Sequence, residues 1–186
     1  MQLMKTLTSV LIFFTTITSL QAQDIVCYAG NVGDEAFNDV VQLSDGTFVI
    51  AGAADNLDWL PPNTMQIALD PSTIANDQGS QKVGFILHLD PSLQNILNIV
   101  YLPPGGVEDI RFIKTTNAPR HQTVDMFISG NTQDADEGGY FIGKLNHNFV
   151  DAVPTSFLWT HNVKCEAGDY PKLYQPWDVD AEGRVY

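Results

Sequence analysis

Phe48-Val49-Ile50-Ala51-Gly52 and Met126-Phe127-Ile128-Ser129-Gly130 are one short pattern written twice. Each closes on glycine after a mostly apolar run, and each leads through a polar stretch to an aspartate, Asp55 and Asp134. A second pair aligns without a gap: Phe85-Ile86-Leu87-His88-Leu89-Asp90-Pro91-Ser92-Leu93 and Phe141-Ile142-Gly143-Lys144-Leu145-Asn146-His147-Asn148-Phe149. Apolar residues recur at matching places, and an Asp or Asn opens the turn in both. Upstream, Asp39-Val40-Val41-Gln42-Leu43 is matched to Asp109-Ile110-Arg111-Phe112-Ile113, a spacing of 70 residues. Trp177-Asp178-Val179-Asp180-Ala181-Glu182-Gly183-Arg184-Val185-Tyr186 begins a third copy.

These repeats predict an all-β fold. Short apolar runs alternate with Gly, Asp, Asn and Pro clusters, and no stretch after residue 23 sustains a period of 3.6. Strands are expected at 39–43, 47–51, 84–89, 96–102, 108–114, 125–129, 140–145 and 156–160. Ser44-Asp45-Gly46 reads as a hairpin turn, because glycine adopts the positive φ that a tight turn requires. Each unit then holds four antiparallel strands, the content of a β-propeller blade. Unit one covers about residues 28–106, unit two about 107–175, and a third begins at 176–186. Both complete units exceed the usual repeat of about 40–50 residues. The excess is assigned to insertions at 56–82 and 161–175. About two blades and a beginning make an incomplete ring, so further blades are expected from additional C-terminal sequence. A β-sandwich is the competing architecture.

The units resemble tandem β-propeller repeats of secreted bacterial proteins, in particular those exported with a C-terminal type IX sorting domain. That family runs from a Gly-Asp-rich turn through an apolar strand to Ser-Asp-Gly-Gly-aromatic, then Ile-Ala-Gly, then Lys-Leu-Asp. Here Gly30-Asn31-Val32-Gly33-Asp34-Glu35-Ala36-Phe37 precedes Val40-Val41-Gln42-Leu43-Ser44-Asp45-Gly46-Thr47-Phe48-Val49-Ile50-Ala51-Gly52. The Lys-Leu-Asp place reads His88-Leu89-Asp90 and Lys144-Leu145-Asn146, and the next glycine turn is Pro104-Gly105-Gly106-Val107-Glu108-Asp109. Thr47 replaces the second turn glycine, and Thr116-Asn117 stands where the second unit would carry Asp-Gly. The resemblance covers most of residues 28–186 outside the insertions. It implies the N-terminal part of a longer exported protein.

Residues 1–22 have the layout of a secretory signal peptide: one charge at Lys5, an apolar centre at Val10-Leu11-Ile12-Phe13-Phe14, and a small, polar close at Ser19-Leu20-Gln21-Ala22. Cleavage between Ala22 and Gln23 is expected. The apolar centre is shorter than the roughly 20 residues that span a bilayer. A secreted or cell-surface location follows. There an oxidising compartment permits a disulfide between the two cysteines, Cys27 and Cys165; the alternative is that both are buried and unpaired.

The 186 residues carry 22 Asp and Glu against 9 Lys and Arg, a net charge of −13. Such a balance argues against nucleic acid as partner, because phosphate contacts need clustered cations. No cofactor is expected and no metal site is assigned. Asp178-Val179-Asp180-Ala181-Glu182-Gly183 and Asp134-Ala135-Asp136-Glu137-Gly138 share oxygen spacing with the front of a calcium loop, yet acidic turns of this kind are common without calcium. His88 shares its place with Lys144, which predicts that this position faces solvent.

No nucleophile elbow or phosphate loop is present, and no catalytic residue is assigned. Binding is expected on the first insertion, at Asp58, Trp59 and Asn63. Trp59 could stack on a sugar ring while Asp58 accepts its hydroxyls; alternatively it plugs the flank of the sheet. The reading is a secreted, non-catalytic binding or cell-surface adhesion module for an extracellular glycan or protein. The alternative is the N-terminal propeller portion of an extracellular hydrolase acting on polysaccharide or peptide.

Overall fold

The structure, a computed structural model, describes residues 34–70, 82–103, 109–116, 125–132, 139–164, 178–180 and 182–186. Among these the chain is all-β, with no helix. The strands are β1 (Ala36–Gln42), β2 (Phe48–Ala54), β3 (Met65–Ala68), β4 (Val83–Leu89), β5 (Ile96–Leu102), β6 (Asp109–Thr115), β7 (Met126–Thr132), β8 (Gly139–Leu145) and β9 (Phe157–Lys164). They form two sheets, ordered β1-β2-β4-β5-β3 and β6-β7-β8-β9.

Hydrophobic alternation and turn chemistry place these strands. The β1–β2 turn closes through Gly46 at φ 89, with Gly46 N–H donating to Leu43 O at 3.0 Å. Asp45 braces it by accepting the Thr47 N–H at 3.0 Å, an Asx arrangement that substitutes for backbone pairing. After β4, Asp90 gathers the turn by accepting N–H groups from Gln94 and Asn95 and the Ser92 hydroxyl. Its carboxyl is held down at about 2, chiefly by the Asn95 side-chain amide.

The two sheets share one pairing register. Gly52 stands opposite Phe85 and Gly130 opposite Phe141. The bulges coincide as well. β1 slips between Phe37 and Asp39, β6 between Ile110 and Phe112; the β4–β5 and β8–β9 pairings slip at His88/Leu89 and Lys144/Leu145. This register corrects the matching of Asp39 to Asp109. Phe37 and Ile110 both face the strand-end glycine, and Asp39 corresponds to Phe112. The recurring aspartate is a coincidence of sequence, because strand equivalence is fixed by the bulge and the glycine.

Two departures come from the insertions. Four strands were expected in the first sheet, but Met65–Ala68 adds a fifth, parallel to β5 from Asn98 to Tyr101. It covers an edge that would otherwise expose unpaired N–H and C=O groups. β9 continues past Thr160 to Lys164, into the stretch read as the start of an insertion.

The sheets stack face to face. Val49, Ala51, Ile86 and Val100 of the first bury against Ile110, Ile113, Met126, Ile128 and Phe141 of the second. A fully buried Val, Ile, Met or Phe side chain contributes about 1.5–3 kcal/mol over its exposed state. Two polar contacts fix the stacking. Asn38, at the β1 bulge, donates through Nδ2 to Ile110 O at 2.9 Å, and Asp39 accepts the Ile113 N–H at 3.0 Å.

Candidate functional site

The opposite face of the first sheet carries an apolar groove of about 670 Å³. Cross-strand register builds it. One row holds Val40, Ile50 and Leu87, and the next holds Phe48, Leu89 and Ile96. Leu93 and Gln94 of the β4–β5 turn and Pro61 of the insertion also line it. Two of its polar lining residues, Asn38 and Asp39, bond the backbone of β6.

The insertion closes one end of this face. Pro61-Pro62-Asn63-Thr64 is a tight turn, with Thr64 N–H donating to Pro61 O at 3.1 Å and Asn63 at φ 70. Asn tolerates the left-handed region that the third turn position requires. Asn63 thus has a backbone task and lies exposed at the turn. Asp58 is also exposed, and its N–H donates to Asn56 Oδ1 at 2.9 Å. Trp59 turns inward. Its Nε1–H donates to Asn56 O at 3.0 Å, and its ring lies 6.3 Å from Phe37 and 5.7 Å from Phe85, centroid to centroid. The indole therefore packs on the sheet, and the three residues do not converge on one concave surface.

A polar cluster lies on the other face of β4, between the sheets. His88, expected at the surface, is only 6% exposed. Strand alternation explains this correction: His88 sits between the groove residues Leu87 and Leu89, so it points into the contact between sheets. Its Nε2 lies 3.0 Å from Thr47 Oγ1, and Thr47 Oγ1 donates to Asp45 at 2.6 Å. Because the Thr47 proton goes to Asp45, His88 Nε2 is the donor to Thr47. His88 Nδ1 is then the acceptor for Asn98 Nδ2 at 3.3 Å. Phe149, from the β8–β9 loop of the second sheet, covers the imidazole with centroids 4.6 Å apart.

Burial holds the His88 pKa below its ordinary value, although the Asp45 charge works in the other direction. Burial also raises Asp45, but the hydrogen bonds from Thr47 outweigh it and leave that carboxyl below the ordinary range. The hydroxyl of Thr47 serves a carboxylate and not an imidazole base, so this arrangement does not activate a nucleophile. Asn98 Oδ1 is buried without a hydrogen-bond partner. Sequence reading missed the cluster. The available signal was Thr47 in place of a turn glycine.

In the second sheet the same register places Lys144 where the first has His88, and there Asp125 pairs with it at 2.6 Å. Lys144 also lies 5.6 Å above the Phe127 ring. Val179 pairs with Val185 in an antiparallel bridge, and a turn closed by the Gly183 N–H donating to Asp180 O at 2.9 Å brings Gly183 near Phe127. Asp180 is absorbed by this turn: it accepts the Arg184 N–H, the Arg184 guanidinium and the Tyr186 hydroxyl. The Arg184 N–H leads in holding its carboxyl at about 2.

Among the described residues, no group of three or more His, Cys, Asp or Glu is placed to hold a metal ion. No helix among them is long and apolar enough to cross a membrane. Ala22, Gln23, Cys27, Cys165 and the acidic turn at 134–138 lie outside the described residues. No protein-family model, curated protein or solved structure matches the chain.

Proposed function

We propose that this is a secreted bacterial β-propeller repeat protein of the type IX-exported kind, whose two sheets are successive blades. It works as a non-catalytic binding or cell-surface adhesion module for an extracellular glycan or protein. One observation carries the blade reading. The face of the second sheet that packs on the first contains Ile113 and Ile128, and these correspond in register to Val40 and Ile50 of the open groove. The sheets thus stack head to tail, each presenting the same face in the same sense. Face-to-face burial of unlike faces is how propeller blades follow one another. The groove is then a packing face of the kind that another such sheet covers. The signal-like N-terminus and the acidic composition support export and argue against a nucleic-acid partner.

The test is a glycan array, a panel of purified extracellular matrix proteins, and turnover assays with polysaccharides and peptides. Saturable binding without turnover is expected. Inertness across both binding panels overturns the binding reading, and saturable turnover of a polysaccharide or peptide replaces it with the hydrolase. An experimental structure of the full-length protein whose sheets do not surround a common axis overturns the propeller.

A further inference from the structure

We propose that the seat of the β8–β9 loop of the second sheet on His88 of the first is a proton-operated latch, closed while His88 is neutral and opened when its ring takes up a proton. The geometry supplies both positions of the latch. In the closed form the ring is a donor toward Thr47, an acceptor toward Asn98, and a flat face against Phe149. A proton arriving at Nδ1 sets its N–H against the Asn98 amide N–H, two donors with no acceptor between them. Asn98 must then rotate and offer Oδ1, the buried oxygen that has no partner in the closed form. Rotation strands the amide nitrogen in its place. The imidazolium also needs solvation that the sheet contact denies it. Opening at Phe149 relieves both, because this ring is the part of the cluster supplied by the second sheet.

The charged surroundings set the direction. Asp45, behind the Thr47 hydroxyl, is the charge that acts on the ring. β1 brings neutral Val41 and β5 neutral Asn98. The β8–β9 loop brings Phe149, while its Asp151 accepts from the Asn148 amide at 3.1 Å. Among the described residues, the ring's hydrogen-bond and ring contacts are Thr47, Asn98 and Phe149, none of them a carboxylate. The second sheet shows the alternative at the corresponding place, where the permanent cation of Lys144 meets Asp125 directly.

The sign follows from linkage. A histidine held below its unfolded value of about 6.5 costs no stability above that pH. As pH falls below it, the open form binds the proton first, and the closed form loses up to about tenfold in population per pH unit until the closed-state value is reached.

The experiment is amide hydrogen exchange of the protein at pH 7.5 and 5, corrected for intrinsic exchange, with an NMR titration of the His88 ring. Acid is expected to reduce protection of the Val150 and Ala152 amides, which are held by Asn148, and the ring is expected to titrate below 6.5. His88→Gln should make protection independent of pH in this range. Thr47→Asp, which copies the Asp125 position, should raise the ring's midpoint and abolish opening in acid. A ring that titrates at or above 6.5, unchanged protection in the wild type, or equal acid opening in His88→Gln overturns the proposal. Should His88→Gln fail to fold, the wild-type titration and Thr47→Asp decide the matter.

Discussion

The Asp39 carboxylate accepts the backbone N–H of Ile113 at 3.0 Å, across 74 residues of sequence and from one sheet to the other. The bulge at Asn38 makes this possible. By slipping the register it turns Asp39 toward β6 and frees the Asn38 amide to reach Ile110 O. A contact between apolar sheets is non-directional; these bonds give it a register. Asp39→Ala should cost about 1–3 kcal/mol, the penalty of a partly buried N–H without an acceptor. Asp39→Asn retains an acceptor and should cost less. Urea denaturation of both variants measures the difference, and equal losses would show that the Ile113 bond does not matter.

Gly52 and Gly130 occupy matching places and answer the same need. A Cβ on Gly52 would strike Ala36 O and come within 2.6 Å of the Phe85 ring. On Gly130 it would strike Asp109 O and lie 3.0 Å from the Phe141 ring. In each sheet an aromatic ring lies across a glycine on the neighbouring strand, and the first strand crosses close by. Gly52→Ala and Gly130→Ala should each destabilise the protein by about 1–3 kcal/mol through overpacking. Thermal unfolding checks this, with Gly46→Ala as a separate case governed by its positive φ.

These glycines also show how far the sequence could be read. Their recurrence with Phe85 and Phe141 marks strand equivalence in the sequence itself, because a close cross-strand approach leaves a residue-type signature. Expected strand positions agree with eight of the observed strands to within a few residues. β3 was hidden because Met65, Gln66 and Ala68 are exposed, so it lacks the alternation of a half-buried strand. Its existence depends on the β5 edge, which local sequence does not describe. His88 was misplaced for a related reason. Equivalence to Lys144 holds in register, but burial is set by what arrives from outside the strand, and Phe149 arrives at the His88 position. The separate tasks of Asp58, Trp59 and Asn63 emerge only from the fold of the insertion.

Trp59 should behave as a structural residue. Its polar edge is bound to Asn56 O and its face rests on Phe37 and Phe85. Trp59→Ala removes this half-buried packing and should cost about 1–3 kcal/mol, less than truncation of a fully buried indole. Trp59→Phe retains most of the ring contact and should recover more than half of the loss. Denaturant midpoints test the order. If Trp59→Ala leaves stability unchanged, the indole is not the plug of this face.

Acid stability provides a further test, located in the turns. Asp90 and Asp180 both have carboxyls held at about 2 by hydrogen bonds donated within their own turns. Unfolding returns each toward an ordinary value of about 3.9. The stabilising contribution is therefore present above about pH 4 and is lost as pH falls toward 2, because the unfolded chain takes up the proton first. Asp90→Asn and Asp180→Asn should each flatten the decline of the melting temperature between pH 5 and 2 relative to wild type. Neither carboxyl is buried, so each difference should be small and additive in the double variant. Asp180 shares its oxygens with Arg184, so adding salt should diminish its contribution more than that of Asp90, whose partners are neutral amides and a hydroxyl. Melting temperatures that fall in parallel for wild type and both variants would place the acid-sensitive contacts elsewhere.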